Sequence, residues 1–208
     1  MTKTPRQELL ALLAQKSFKL GEFKLSSGGT SDYYIDCRLT TLDADGARLT
    51  GRVFLDEIFR HGWEPLAIGG LTLGADPIVV AVAMLSAQQT RSRAPRPDTS
   101  PGGADYHIVH GFLVRKAEKA HGTGQRIEGF CEKGAKVVIV DDVCTTGAST
   151  IQAIEAARAN GMEVVGVLCL VEREEAGGRA AVEQAAAPAE FHCIFTSDDV
   201  RKEHLRQK

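Results

Sequence analysis

Residues 137–150 read VVIVDDVCTTGAST. Val137, Val138, Ile139 and Val140 form an unbroken apolar run, which suits a strand buried on both faces. Asp141 and Asp142 close that strand, and the small residues Thr145, Thr146, Gly147, Ala148 and Ser149 open a helix expected over 148–160. Backbone N–H groups at a helix N-terminus, helped by small hydroxylated neighbours, make a phosphate cradle, and Gly147 lets the chain approach the anion closely. The two carboxylates repel phosphate. They suit sugar hydroxyls as acceptors, or act through a divalent cation carried by the ligand. A carboxylate pair beside a phosphate cradle therefore points to a phosphorylated sugar. If the pair were only a helix cap, two adjacent carboxylates at a buried strand end would repel each other with no partner.

Working outward, fully apolar strands alternate with helices. Strands are expected at 66–70, 108–114, 136–141, 164–171 and 191–195, and helices at 75–87, 148–160 and 179–186. That alternation defines an α/β class, with a mainly parallel central sheet flanked by helices. Ligands of such sheets bind where strands end and helices begin, so the loops after Gly70, Val114, Asp141 and Val171 are the candidate positions. Upstream, Thr4-Pro5 reads as an N-cap and first helical residue, with a leucine stripe running to about Gln15. Extended pieces at 18–25 and 33–37 follow, then a helix over 45–60 that stops at Gly62. The proline- and arginine-bearing segment 88–105 (QQTRSRAPRPDTSPGGAD) reads as a flexible insertion, and 116–129 (KAEKAHGTGQRIEG) reads as a mobile loop.

The 208 residues suffice for one domain with a full core. Apolar residues make up 43% and charged residues 25%, which excludes disorder and fibres, and the net charge of −2 gives no global attraction to nucleic acid or anionic membrane. Five scattered cysteines without a CxxC pair exclude a disulfide framework and a structural zinc site of the usual spacing. No signal peptide or apolar run of membrane-spanning length is present, so a cytoplasmic location is expected. Rival phosphate motifs are incomplete. Gly46 and Gly51 are followed by Arg52-Val53 in place of Lys and Ser/Thr, and Gly122 and Gly124 lack a third glycine.

Arg115, Lys116, Lys119 and His121 place four potential cations within seven residues of a glycine-bearing loop. Such density suits a pyrophosphate.

The segment 137–150 resembles the phosphoribosyl pyrophosphate signature of type I phosphoribosyltransferases. The spacing RKxxKxHG from Arg115 resembles the mobile catalytic loop of the orotate phosphoribosyltransferase family, and 23–38 (FKLSSGGTSDYYIDCR) resembles that family's N-terminal hood over the orotate site. The likeness spans nearly the whole chain except 88–105. It implies a single domain over 1–208. Residues 1–40 would form the N-terminal helix and hood, 41–208 the α/β core, and 115–129 the catalytic loop. By the same likeness Lys119, His121, Asp141 and Asp142 are the catalytic set. Lys119 and His121 cover the pyrophosphate, Thr145 touches the orotate ring edge, and Arg173 takes the orotate carboxylate. Arg115, Lys116, Tyr33, Tyr34 and the signature residues Val143, Cys144, Thr146, Gly147, Ala148 and Ser149 complete the binding set.

The resemblance further implies Mg²⁺ as cofactor, held mainly by substrate. Orotate and phosphoribosyl pyrophosphate are the implied substrates, and a homodimer whose loop closes over the neighbouring site is the implied assembly. Ser26 and Thr72-Leu73 depart from lysines found in some members, so those contacts do not carry over. Two alternatives stand beside this one. A purine-specific phosphoribosyltransferase is opposed by Arg173 and Tyr33-Tyr34. A non-enzymatic sensor of phosphoribosyl pyrophosphate is opposed by the four loop cations and by the lack of an evident helix-turn-helix.

Overall fold

The computed structural model describes residues 3–24, 29–92, 108–116 and 126–208. The N-terminal helix α1 (Pro5–Lys16) starts as its sequence dictates: Thr4 and Gln7 form a reciprocal capping box and Pro5 occupies the first turn. Strands β1 (Phe18–Lys24) and β2 (Thr30–Ile35) pair antiparallel as a separate two-stranded sheet, the expected hood. A short helix α2 (Arg38–Thr41) leads into α3 (Ala44–Arg60), whose N-cap is Asp43.

The core alternates β3 (Ala67–Leu71), α4 (Asp76–Ser92), β4 (His110–Val114), β5 (Ile127–Gly129), β6 (Lys136–Cys144), α5 (Ala148–Ala159), β7 (Glu163–Glu172), α6 (Arg179–Ala186), β8 (Glu190–Thr196) and α7 (Ser197–Arg206). The sheet order is β5-β4-β3-β6-β7-β8, parallel throughout except for β5, which pairs antiparallel with β4.

The unbroken apolar run of β6 serves both faces of the sheet. Val138 and Val140 join one core with Leu13, Phe54, Ile58, Ile78, Val82 and Val200. Val137 and Ile139 join the other with Ile154, Ala157, Val182 and Ala186. Strand alternation sends neighbours to opposite faces, so a strand covered on both sides must be apolar at every position.

Three boundaries differ from expectation. Helix α4 continues to Ser92, so it takes the first five positions of the expected insertion 88–105; residues 93–105 lie outside the described residues. The C-terminal part of the expected mobile loop is sheet: Ile127–Gly129 pairs with β4, and the Arg115 N–H donates to the Arg126 carbonyl at 2.8 Å, closing the base of the loop. Helix α7 was not foreseen, because its sequence is polar and buries little beyond Val200. No helix among the described residues is long and apolar enough to cross a membrane.

Candidate active site

Parallel strands deliver their carboxyl ends to one edge of the sheet, and β6 brings Asp141 and Asp142 there. Asp141 is 4% exposed. Its Oδ2 accepts from Thr150 Oγ1 at 2.8 Å and its Oδ1 from the Asp142 N–H at 3.0 Å. Asp142 Oδ1 accepts from the Val143 N–H at 2.9 Å. Burial and the neighbouring Asp142 charge push the Asp141 carboxyl up to about 7. Burial raises Asp142 as well, while Val143 N–H and Arg38 work against it. A carboxylate pair with such affinity for protons is poised for a positively charged partner.

The two aspartates open onto a cavity that Tyr34, Asp36 and Arg38 approach from the hood side, the Leu71–Gly74 loop from the end of β3, and Lys116 from the end of β4. The loop must pass close to the carboxylate. A Cβ on Gly74 would stand 2.2 Å from Asp142 Oδ1, so only glycine leaves room. Arg38 grips Asp36 with two contacts of 2.9 Å and holds that carboxyl below the ordinary range. Beside the cavity, α5 begins at Gly147, with φ +79 and no side-chain cap. The first-turn N–H groups are therefore available to an anion, and Ser149 lines the cavity.

The residues named from sequence divide into groups. Tyr34, Lys116, Asp141, Asp142, Val143 and Ser149 come together around this cavity. Thr145, Thr146, Gly147 and Ala148 form the turn into α5 next to it. Tyr33 and Arg173 line a second cavity with Ser31, Glu175, Ser197 and Arg201. Tyr33 and Tyr34 separate because they are consecutive on β2 and face opposite ways. Tyr33 stacks on Phe18 at 5.2 Å, with the Arg173 guanidinium 4.7 Å from its ring centre. Arg173 Nε donates to the Tyr33 hydroxyl and to Glu175 Oε1, each at 3.0 Å, and Nη2 donates to Ser31 Oγ at 3.3 Å. The second cavity adjoins the first through the backbone, since the Arg173 N–H donates to the Cys144 carbonyl at 2.9 Å.

Two expectations are corrected. The Cys144 side chain belongs to the core, 1% exposed, and its N–H donates to Cys169 Sγ at 3.0 Å, so neither faces an anion. The Arg115 guanidinium turns to Glu128 at 3.2 Å and does not line the cavity. Lys119 and His121 lie outside the described residues. Asp36, Arg38, Gly74 and Glu175 were not singled out as site residues. Asp36 and Arg38 already stood inside the hood segment, Glu175 stands two residues after Arg173, and Gly74 belongs to the glycine-bearing loop after Gly70 that was expected to turn tightly near the pyrophosphate.

A doubly covered parallel sheet, with a carboxylate pair at the end of a central strand and an uncapped helix N-terminus beside it, defines a phosphoribosyltransferase of the type I fold. Residues 112–185 match the family model described as "Phosphoribosyl transferase domain". The chain is 41% identical over 176 residues to the orotate phosphoribosyltransferase of Rhodopirellula baltica, covering 83% of each. Among solved structures, that of the Mycobacterium tuberculosis orotate phosphoribosyltransferase with Fe(III) dicitrate superposes with TM-score 0.73 at 35% identity, covering 95% of this chain and 99% of that one. The same enzyme in complex with 5-phospho-alpha-D-ribosyl 1-diphosphate gives 0.67 at 28%, covering 96% and 93%. The chain belongs to the orotate phosphoribosyltransferase family.

Proposed function

We propose that the chain transfers the phosphoribosyl group of phosphoribosyl pyrophosphate to orotate, forming orotidine 5′-monophosphate and pyrophosphate. The observation that carries this is the buried Asp141–Asp142 pair opening onto a cavity beside the uncapped start of α5. A bond forms between orotate N1 and ribose C1 as N1 gives up its proton, and the C1–pyrophosphate bond breaks with its electron pair leaving on pyrophosphate, which can take up that proton. Positive charge builds on the sugar meanwhile. Asp141 and Asp142 hold the ribose hydroxyls and offset that charge, while the turn from Thr145 to Ser149 takes the 5′-phosphate.

Lys116 faces the leaving pyrophosphate, and Lys119 and His121 join it by resemblance to the family loop. Arg115 instead braces the loop base through Glu128. Closure of the loop excludes water, which would otherwise hydrolyse the donor. The donor set fits a Mg²⁺ ion held mainly by substrate, because the Asp141 oxygens already accept hydrogen bonds and Asp142 is the more open carboxylate. That ion supplies charge neutralisation at the pyrophosphate when bound. Arg173 meets the orotate carboxylate while Glu175 and Tyr33 fix its orientation.

A homodimer is supported by an apolar groove between α3 and α4, with Leu42, Val80 and Met84 more than half exposed. Val80→Asp is expected to shift the protein to monomers by light scattering; an unchanged mass places the interface elsewhere. Mixing Lys119→Ala with Asp141→Asn subunits tests loop sharing, since shared loops restore one complete site per mixed dimer. Five unpaired cysteines agree with a cytoplasmic location. With Mg²⁺ and phosphoribosyl pyrophosphate, the protein should deplete the ultraviolet absorbance of orotate. Turnover with adenine or hypoxanthine, and none with orotate, overturns the assignment.

A further inference from the structure

At the outer edge of the sheet, three side chains outside the catalytic cavity bring metal-ligating atoms together. His61 follows the last turn of α3, and Glu190 and His192 stand two apart on β8, on the same side of the strand. One ligand atom from each lies within 4.8 Å of the others. The two imidazole rings are 3.9 Å apart between centres, and His192 Nε2 is 3.0 Å from Glu190 Oε2. None of the three lines the Asp141–Asp142 cavity, and β8 is separated from β6 by β7.

We propose that His61, Glu190 and His192 form a binding site for one divalent late first-row transition ion such as Zn²⁺, with a fourth position open to water. Two imidazoles and a carboxylate are the donors such ions prefer, whereas Mg²⁺ favours an all-oxygen octahedron and does not compete well.

Two adjustments are needed. Arg60 Nη2 lies 3.1 Å from His61 Nε2 and must yield; its side chain is 65% exposed and already pairs with Glu57. Zinc bonds of about 2 Å in a tetrahedron place donors roughly 3.3 Å apart, a spacing that His192 Nε2 and Glu190 Oε2 nearly have at 3.0 Å, while donors up to 4.8 Å apart must close by as much as about 1.5 Å. The side chains of Glu190 and His192, 70% and 36% exposed, have room to rotate inward. The ion would then clip the end of α3 to the edge strand β8.

The molecule carries its own reporter. Trp63 is the sole tryptophan, stacked on His61 at 4.6 Å and 5.7 Å from His192. In full-length protein with exposed Cys131 replaced by serine, titration with paramagnetic Cu²⁺ or Ni²⁺ should quench Trp63 fluorescence saturably at one ion per chain. Zn²⁺ should displace the quencher, while millimolar Mg²⁺ should not. His192→Ala should weaken binding by about tenfold or more, and Glu190→Gln should weaken it in the same direction. Circular dichroism verifies folding, and the Glu190 variant decides if the His192 variant does not fold. Absence of quenching, or an unchanged midpoint in the folded variants, overturns the site.

Discussion

Asp141→Asn should make the protein more stable at pH 8 while disabling it. Folding carries this carboxyl from an ordinary 3.8 to about 7, chiefly through burial and the charge of Asp142. A raised carboxyl holds a proton in the folded chain that the unfolded chain releases, so its contribution is fully present below about pH 4 and is lost as pH rises toward 7. For a rise of that size, the wild type gives up about 2–3 kcal/mol between pH 5 and pH 8 on account of this one group. Asparagine has the same shape and can still accept from the Asp142 N–H while its amide donates to the Thr150 hydroxyl, so little else changes. The stability advantage of the variant should therefore grow by about 2–3 kcal/mol from pH 5 to pH 8. The assay is urea unfolding of both proteins at fixed concentration, without Mg²⁺ or substrate, because either would favour the charged form. An advantage equal at the two pH values, or larger at pH 5, would refute the assigned electrostatics. Orotate turnover by the variant should fall by about two orders of magnitude, the scale of losing one preorganised electrostatic contact.

Thr150→Val removes the hydroxyl that donates to Asp141 Oδ2, and should cost about 1–3 kcal/mol at pH 8 and less at pH 5, where the carboxyl is neutral; urea unfolding at both values reads it. Gly74→Ala places a methyl 2.2 Å from Asp142 Oδ1 and should lower kcat/KM by about tenfold or more with a small change in Tm, as steady-state kinetics and a thermal scan would show. Glu175→Gln loosens Arg173 without touching the Asp141 cavity, so the KM for orotate should rise by about fivefold while that for phosphoribosyl pyrophosphate stays constant. Equal rises in both would assign Glu175 a merely structural part.

The segment 137–150 by itself determined the buried central strand, the strand-end carboxylates and the uncapped glycine at the start of α5, and the alternation of further apolar strands with helices determined the parallel sheet. These are properties of contiguous residues, and local pattern carries them: an apolar run long enough for a doubly covered strand, then a glycine where φ must be positive. Thr4-Pro5 and Gly62 marked helix ends for the same reason. Helix α7 escaped because its ten residues carry no broad apolar stripe; the signals present were the Thr196–Asp199 capping box, the acidic first turn and the basic last turn. Strand β5 is three residues long and exists by pairing with β4, beyond the reach of periodicity.

What the tertiary structure alone decided is which named residues meet. The facing of β2 parted Tyr33 from Tyr34. Packing of β2 against the turn after β7 and the start of α7 placed Tyr33, Arg173 and Ser197 around Glu175. The same long-range assembly turned Arg115 toward Glu128, buried Cys144, and set His61 beside His192 across the edge of the sheet. Side-chain partners far apart in sequence are fixed by strand register and by how helices seat on the sheet, and neither leaves a periodic trace in the chain.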